Sequence, residues 1–500
     1  MSGPARIAAG DPRYEDFVVR GDNARFPPRP DAFVLARSTE DVVRTVQEAV
    51  RAGQRIAVRS GGHCYEDFVS DPTVRVVIDL AAMDRVGFDA ERQAFAVEPG
   101  VRLMDLYRAL YLGWGVTVPG GASELVGIGG HLLGGGYGPL SRRFGACSDH
   151  LYAVEVVVVD ADGRARAVVA TRDPADPNHD LWWAHTGAGG GNFGVVTRYW
   201  LRSPGAEGGP GDLLPRPPAS VLASSTVFPR EGLTREALRA LVGGHGRWHE
   251  RNSAPDSPYA GLFSGLVLFA VAPQDDPGIG AILFNHLDGT GADAEELLAR
   301  AVREMTGDVD APRYDMPVER APWLSTMVKL ARAQDGESGR HKIKSAYLRR
   351  GYTDAQIDTI HDHLWGDGHA FSSATISLQS YGCAANAVAP DATATAQRDS
   401  VLRALYLTSW ADPSTDEANL DWTRRLYRDV YAATGGVPLP DDRNDGCYIN
   451  FPDVDMADPR WNASGTPWQY LYFKDNHPRL QQIKKRWDPL TVFSHALSVQ

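Results

Sequence analysis

Five hundred residues exceed what one ordinary hydrophobic core organises, so at least two lobes are expected. Hydrophobic residues make up 43% and charged residues 23%, ordinary for a globular chain, and no apolar run approaches the ~20 residues of a membrane helix. With 51 Lys and Arg against 63 Asp and Glu, the net charge of −12 repels phosphate backbones, so nucleic acid is not expected as a partner.

In chain order, residues 1–10 lack the basic and apolar regions of a secretory signal, so a cytoplasmic location is expected. A short apolar run at 32–36 precedes a helix that starts at Ser38 or Thr39 and reaches Ala52, with Glu40 and Asp41 in its first turn. Strands follow at 55–59, 74–80 and 94–97, then a helix over 104–112 and a β-branched strand over 154–159. Residues 203–220, rich in Pro and Gly, read as a linker. Beyond it, strands at 261–272, 281–285 and 374–380 alternate with helices. One helix, over 294–305, has Asp293 placed as its N-cap. A helix over 479–487 ends before Pro489, and its run Lys484, Lys485, Arg486 reads as a solvated face. Cys64, Cys147, Cys383 and Cys447 show no CxxC spacing, so reduced, mostly buried thiols and no metal site are expected.

Three glycine clusters lie in the first lobe, at 59–63 (RSGGH), 127–138 (GIGGHLLGGGYG) and 187–194 (GAGGGNFG). Glycine permits positive φ and lets backbone N–H groups approach an anion closely. None of the three has the GxGxxG or GxxxxGK[ST] spacing of standard nucleotide loops. Together they suit one long anionic ligand held largely by backbone. His63, taken alone after two glycines, reads as a loop residue, although an imidazole exposed on such a turn can act as a nucleophile when neutral.

These motifs, with Tyr448-Ile449-Asn450 and the closing Trp487-Asp488-Pro489 and Phe493, resemble the berberine bridge enzyme family. That family lies within the vanillyl-alcohol oxidase and p-cresol methylhydroxylase superfamily, and the likeness is to its bacterial secondary-metabolism oxidases. The resemblance implies an α+β fold, with a two-lobed FAD-binding domain of the p-cresol methylhydroxylase type and a substrate domain whose antiparallel sheet is covered by helices. It places the FAD-binding parts at 1–205 and 441–500 and the substrate part at 206–440. His63 falls on the histidine that bonds FAD covalently. Many relatives add a cysteine link at the position of Ser123. Serine forms no such thioether, so attachment through His63 only is implied. The remaining cofactor contacts are implied at Arg59, Ser60, Gly61, Gly62, Gly127, Gly129, Gly130, His131, Gly134, Gly138, Gly190, Gly194, Val195 and Asn450.

Tyr448, taken alone, sits in an alternating strand pattern over 447–451. The resemblance makes it the base that takes the substrate's hydroxyl proton, and a phenol with an ordinary pKa near 10 needs a stabilising neighbour for that. Tyr381 is the candidate neighbour, and Asn450 either contacts FAD or orients Tyr448. The expected function is oxidation of an alcohol on a small molecule, such as a sugar hydroxyl of a glycosylated natural product, with O2 reduced to H2O2. An oxidative cyclase, an inactive flavin-binding relative and a nicotinamide-dependent reductase are the alternatives.

Overall fold

A computed structural model of the chain describes residues 3–270, 278–334, 339–366 and 373–500. Strands β1 (Ala5–Ala8), β2 (Ala32–Leu35), β3 (Arg55–Arg59) and β4 (Val74–Asp79) form a sheet in the order β1-β2-β4-β3. β2 and β3 both run parallel to β4. Parallel strands are covered on both faces, which explains the unbroken buried run Val76-Val77-Ile78. Between β2 and β3 the helix Thr39–Arg51 is capped by Ser38, whose hydroxyl accepts from Asp41 N–H at 3.3 Å.

A second sheet holds β5 (Val86–Asp89), β6 (Ala94–Val97), β7 (Leu151–Val159), β8 (Ala165–Thr171) and β9 (Val195–Leu201), in the order β5-β6-β9-β7-β8. Val42 and Val46 of the capped helix pack with Ile78 of the first sheet, Val157 and Val195 of the second, and Phe493 from the tail. The helix expected over 104–112 spans Leu103–Trp114 and stops where Gly115 turns left-handed, at φ 73°.

The third sheet contains β10 (Ser220–Pro229), β11 (Leu262–Phe269), β12 (Ile279–Asp288), β13 (Tyr314–Asp315), β14 (Glu319–Pro322), β15 (Arg340–Leu348), β16 (Ser373–Ser380) and β17 (Leu402–Trp410). Among the described residues its order is β13-β10-β12-β11-β16-β17-β15, with β14 beside β10. Its leucine face (Leu262, Leu266, Leu283, Leu378) belongs to the main core, together with the helices Arg235–Asn252, Ala294–Thr306, Asp354–Trp365 and Asp416–Val430. Its other face carries one cross-strand row: Tyr347, Arg403, Gln379, Gly265, Phe284 and Ser225. Gly265 is small because the Phe284 ring lies where its Cβ would stand.

Three expectations change. The strand expected over 261–272 is β11, and residues 271 and 272 lie outside the described residues. Asp293 precedes its helix without capping it: at φ −98°, ψ 7° it lacks the extended backbone that aims a capping oxygen at the first turn. The basic run near the end is not wholly solvated. Lys484 is buried, and its Nζ donates to Asn192 O (2.5 Å), Asp488 Oδ2 (2.6 Å) and Phe493 O (2.6 Å). The helix His477–Trp487 turns this one cation inward, where three oxygens replace its water, while Lys485 and Arg486 stay exposed. All four cysteines are free, and Cys147, Cys383 and Cys447 are buried. Among the described residues no helix is long and apolar enough to cross a membrane.

Candidate active site

The three glycine clusters meet. A Cβ on Gly61 would strike Gly127 N, and one on Gly129 would come within 2.7 Å of Pro99 O. Gly189 N–H donates to Leu133 O at 2.9 Å, joining the third cluster to the second. The tail closes the group, since His495 Nε2 lies 3.1 Å from Gly190 O. Gly62, Gly189 and Gly191 have φ of 88°, 84° and 75°, conformations that side chains with a Cβ rarely adopt. Gly138 and Gly194 are packing positions, pressed on Gly120 O and on β7 at Val157 O and Val156. Val195 begins β9 and is buried beside them.

Not every polar residue of the turn faces outward. Arg59 is buried beneath it, donating to Asp79 (2.8 Å) and to Phe17 O (2.7 Å). Ser60 Oγ donates to Pro99 O at 2.6 Å. Gly130, by contrast, is exposed, and no protein atom lies within 4 Å of a Cβ built on it. Ser123 Oγ is buried without a hydrogen-bond partner. A wall of glycine backbone with one open glycine and one orphaned hydroxyl fits a large anionic cofactor of the FAD type.

A buried cluster holds Tyr137, Phe263, Tyr347, Tyr381 and Tyr448, and Asn450 joins it to the second glycine segment. The segment over 447–451 is not the strand its alternation suggests. Phe451 N–H donates to Tyr448 O at 2.9 Å, and this turn brings Tyr448 and Asn450 to the same side. Asn450 Nδ2 donates to the Tyr448 hydroxyl (2.9 Å) and to His131 O (2.7 Å), so of its two expected roles the orienting one is visible. A Cβ at Gly134 would collide with Asn450 Oδ1, which explains the glycine there. His131 is structural on its ring side: Nε2 accepts from Gly121 N–H at 3.1 Å, and burial pushes its pKa down to about 4.

Burial pushes the Tyr448 hydroxyl above the ordinary phenol value, while Arg403, Asn450 and the Gly136 N–H pull it back. The Arg403 guanidinium carbon lies 5.1 Å from the Tyr448 ring centroid and 4.6 Å from that of Tyr137. Arg403 donates to Gln379 Oε1 at 2.6 Å, and its Nε is buried without a partner. Tyr381 sits in the cluster, with its ring 4.9 Å from Tyr137, but its hydroxyl donates to Gln397 O at 3.0 Å. The stabilising neighbours of Tyr448 are therefore Asn450 and Arg403. Tyr381 instead shapes the wall.

The His63 side chain is 15% exposed, with Nδ1 3.6 Å from Asp22 Oδ2. Its loop is fixed to the tyrosine side by buried ion pairs. Lys342 binds Glu66 (2.6 Å) and Asp453 (2.7 Å), and Lys344 binds Asp453 (2.6 Å) and Asp455 (2.8 Å). The sequence reading missed Arg403, Gln379, Tyr347 and Tyr137. Only strand register places the first three side by side.

Comparison with known proteins adds what geometry alone does not. A family described as "FAD binding domain" matches residues 30–168, and one described as "Berberine and berberine like" matches residues 447–500. The chain is 52% identical over 498 residues to an aclacinomycin-N/aclacinomycin-A oxidase of Streptomyces galilaeus, covering 98% of this chain and 88% of that protein. It is 31% identical over 481 residues to a hexose oxidase of Chondrus crispus, covering 89% and 85% of the two chains. A crystal structure of a glycopeptide hexose oxidase complexed with teicoplanin superposes with a TM-score of 0.96 at 47% identity, covering 100% of this chain and 99% of that one.

Proposed function

The chain belongs to the berberine bridge enzyme-like family of FAD-linked oxidases, and on that premise we propose that it oxidises a sugar hydroxyl of a glycosylated natural product. It is an FAD-dependent oxidase of secondary metabolism. The substrate reading draws on the relatives, whose names carry aclacinomycin, hexose and glycopeptide. In our reading FAD is held by the glycine wall of residues 1–205 with the tail 441–500, is attached through His63 alone, and meets its substrate against residues 206–440.

Bound FAD supplies a two-electron acceptor that O2 reoxidises, with release of H2O2. The protein's own part is proton removal and placement. The observation that carries this reading is the Tyr448 hydroxyl, which accepts at 2.9 Å from Asn450, the residue that joins it to the second glycine segment. Tyr448 takes the alcohol proton as the C–H bond breaks. Phenolate character on Tyr448 is favoured by the Asn450 donor and by the Arg403 cation beside the ring. The aromatic walls of Tyr137, Tyr347 and Tyr381 exclude water and suit the apolar face of a sugar ring. Gln379, locked by Arg403, offers a polar edge in the same row.

The test is peroxide release from the purified holoenzyme on glycosylated polyketides and peptides, with Tyr448→Phe alongside. Peroxide with a new carbonyl on the sugar supports the reading. A ring-closed product with the sugar untouched overturns it in favour of oxidative cyclisation.

A further inference from the structure

Residues 20–23 run along the turn 59–63 as a strap. Arg20 Nη2 donates to Ser60 O (2.7 Å), Asp22 N–H to Gly62 O (3.0 Å) and Asn23 Nδ2 to Tyr65 O (3.1 Å). On its far side the strap is held by β15. Asn23 Nδ2 also donates to His341 O at 3.1 Å, and Asn23 Oδ1 accepts from His341 N–H at 3.3 Å. This lacing sets the Asp22 carboxylate between two imidazoles, 3.6 Å from His63 Nδ1 and 3.4 Å from His341 Nε2. His341 is buried, its ring edge-on to Tyr65 at 5.2 Å, and its Nε2 has no hydrogen-bond partner. The proton transfer assigned to Tyr448 uses none of these three groups.

We propose that Asp22, backed by His341, is the general base that attaches the cofactor to His63, an inference that rests on reading His63 as the attachment point. Attachment breaks one C–H bond of a flavin ring methyl and the imidazole N–H bond, and forms one C–N bond. Two protons and two electrons leave, and both pairs end on O2 as H2O2, the acceptor and product already in the enzyme's reaction. A carboxylate beside the imidazole receives protons where they are released and holds the ring in one orientation. His341, with Nε2 3.4 Å from the Asp22 carboxylate and no hydrogen-bond partner on that nitrogen, takes the proton on and returns Asp22 to its anionic form. The strap explains why an N-terminal segment and a strand of the third sheet both reach the His63 turn.

The experiment measures total flavin occupancy and, by acid precipitation and intact mass, the covalent fraction in protein purified after a short induction. Asp22→Asn is expected to keep wild-type flavin occupancy while its covalent fraction falls by about tenfold, and Asp22→Glu to restore most of it. A wild-type covalent fraction in Asp22→Asn overturns the proposal alone. Loss of occupancy in step with the covalent fraction, in both Asp22→Asn and Asp22→Glu, also overturns it, because the strap is then only structural. Release of flavin from the unmodified protein by acid overturns the His63 reading, and this proposal with it.

Discussion

Arg403 and Tyr448 belong to distant segments, yet the guanidinium carbon of one stands 5.1 Å from the ring centroid of the other. The contact depends on strand register. Arg403 pairs with Gln379 on one side and Tyr347 on the other, on the sheet face opposite the leucine core. A fixed cation beside a buried phenol makes its anion less costly, and the Asn450 donor acts in the same direction on the oxygen itself.

The first prediction concerns pH. The base role proposed for Tyr448 requires the deprotonated phenol, so kcat is expected to rise with pH through its pKa. Asn450→Ala removes a donor that favours phenolate, and Arg403→Gln removes the cation. Each moves the ascending limb to higher pH by about one unit and lowers kcat at neutral pH. Tyr448→Phe lowers kcat by about 10²- to 10⁴-fold with flavin content unchanged. Steady-state profiles across the alkaline range check all three.

Ser123 gives the second prediction. Its hydroxyl is buried and unpartnered, and the family resemblance sets it at the place of a second covalent link. A thiol is close to isosteric with the hydroxyl and needs no partner of its own. The double variant His63→Ala, Ser123→Cys therefore keeps flavin through acid denaturation, whereas His63→Ala alone releases it. Intact mass of the denatured proteins decides the matter.

Much of the first lobe was legible because its signals are local. Ser38 with Glu40 and Asp41 marks a helix start, and a continuous valine run marks a strand covered on both faces. The glycine clusters were legible as a group. Arg403 was not, because a charge on the alternate face of an apolar strand reads as solvent-facing until the neighbouring strands are known. Lys484 was misread for a similar reason: one lysine of a basic run differs from the others only in what packs on it. Over 447–451, alternation imitated a strand where a turn serves instead, and the turn is what pairs Asn450 with Tyr448.

Lys484 carries the third prediction. Its ammonium is the partner of the buried Asp488 carboxylate and ties the tail to Asn192 in the third glycine cluster. Lys484→Met removes the cation and leaves Asp488 with only the Val492 and Phe493 N–H donors. A loss of about 3–5 kcal/mol is expected from denaturant unfolding, with earlier proteolysis of the tail.

The fourth prediction is acid sensitivity. His131 has its pKa lowered from the ordinary 6.5 to about 4, first by burial and then by the nearby Arg403 cation, and its neutral Nε2 accepts the Gly121 N–H inside the protein. Between those values the unfolded chain binds a proton that the folded chain does not. Stability from this group is therefore complete above about pH 6.5 and is lost as pH falls toward 4, by about 3 kcal/mol. His131→Gln keeps an acceptor without titrating, and its Tm should fall less steeply over that window than that of the unmodified protein.

The last prediction separates two glycines of one cluster. A Cβ at Gly134 collides with Asn450 Oδ1, whereas a Cβ at Gly130 meets no protein atom within 4 Å. Gly134→Ala therefore displaces Asn450, and the Tyr448 hydroxyl loses its donor. Its kcat falls and its pH limb moves as in Asn450→Ala, with flavin still bound. Gly130→Ala leaves the fold and Tyr448 untouched, but puts a methyl group into the space read as the cofactor's. In the His63→Ala background its non-covalent affinity for FAD drops, while its Tm without FAD stays at the value of His63→Ala alone. If both variants instead lose flavin equally, the wall is less divided than these contacts indicate, and Asn450 is then as much a cofactor contact as an anchor for Tyr448.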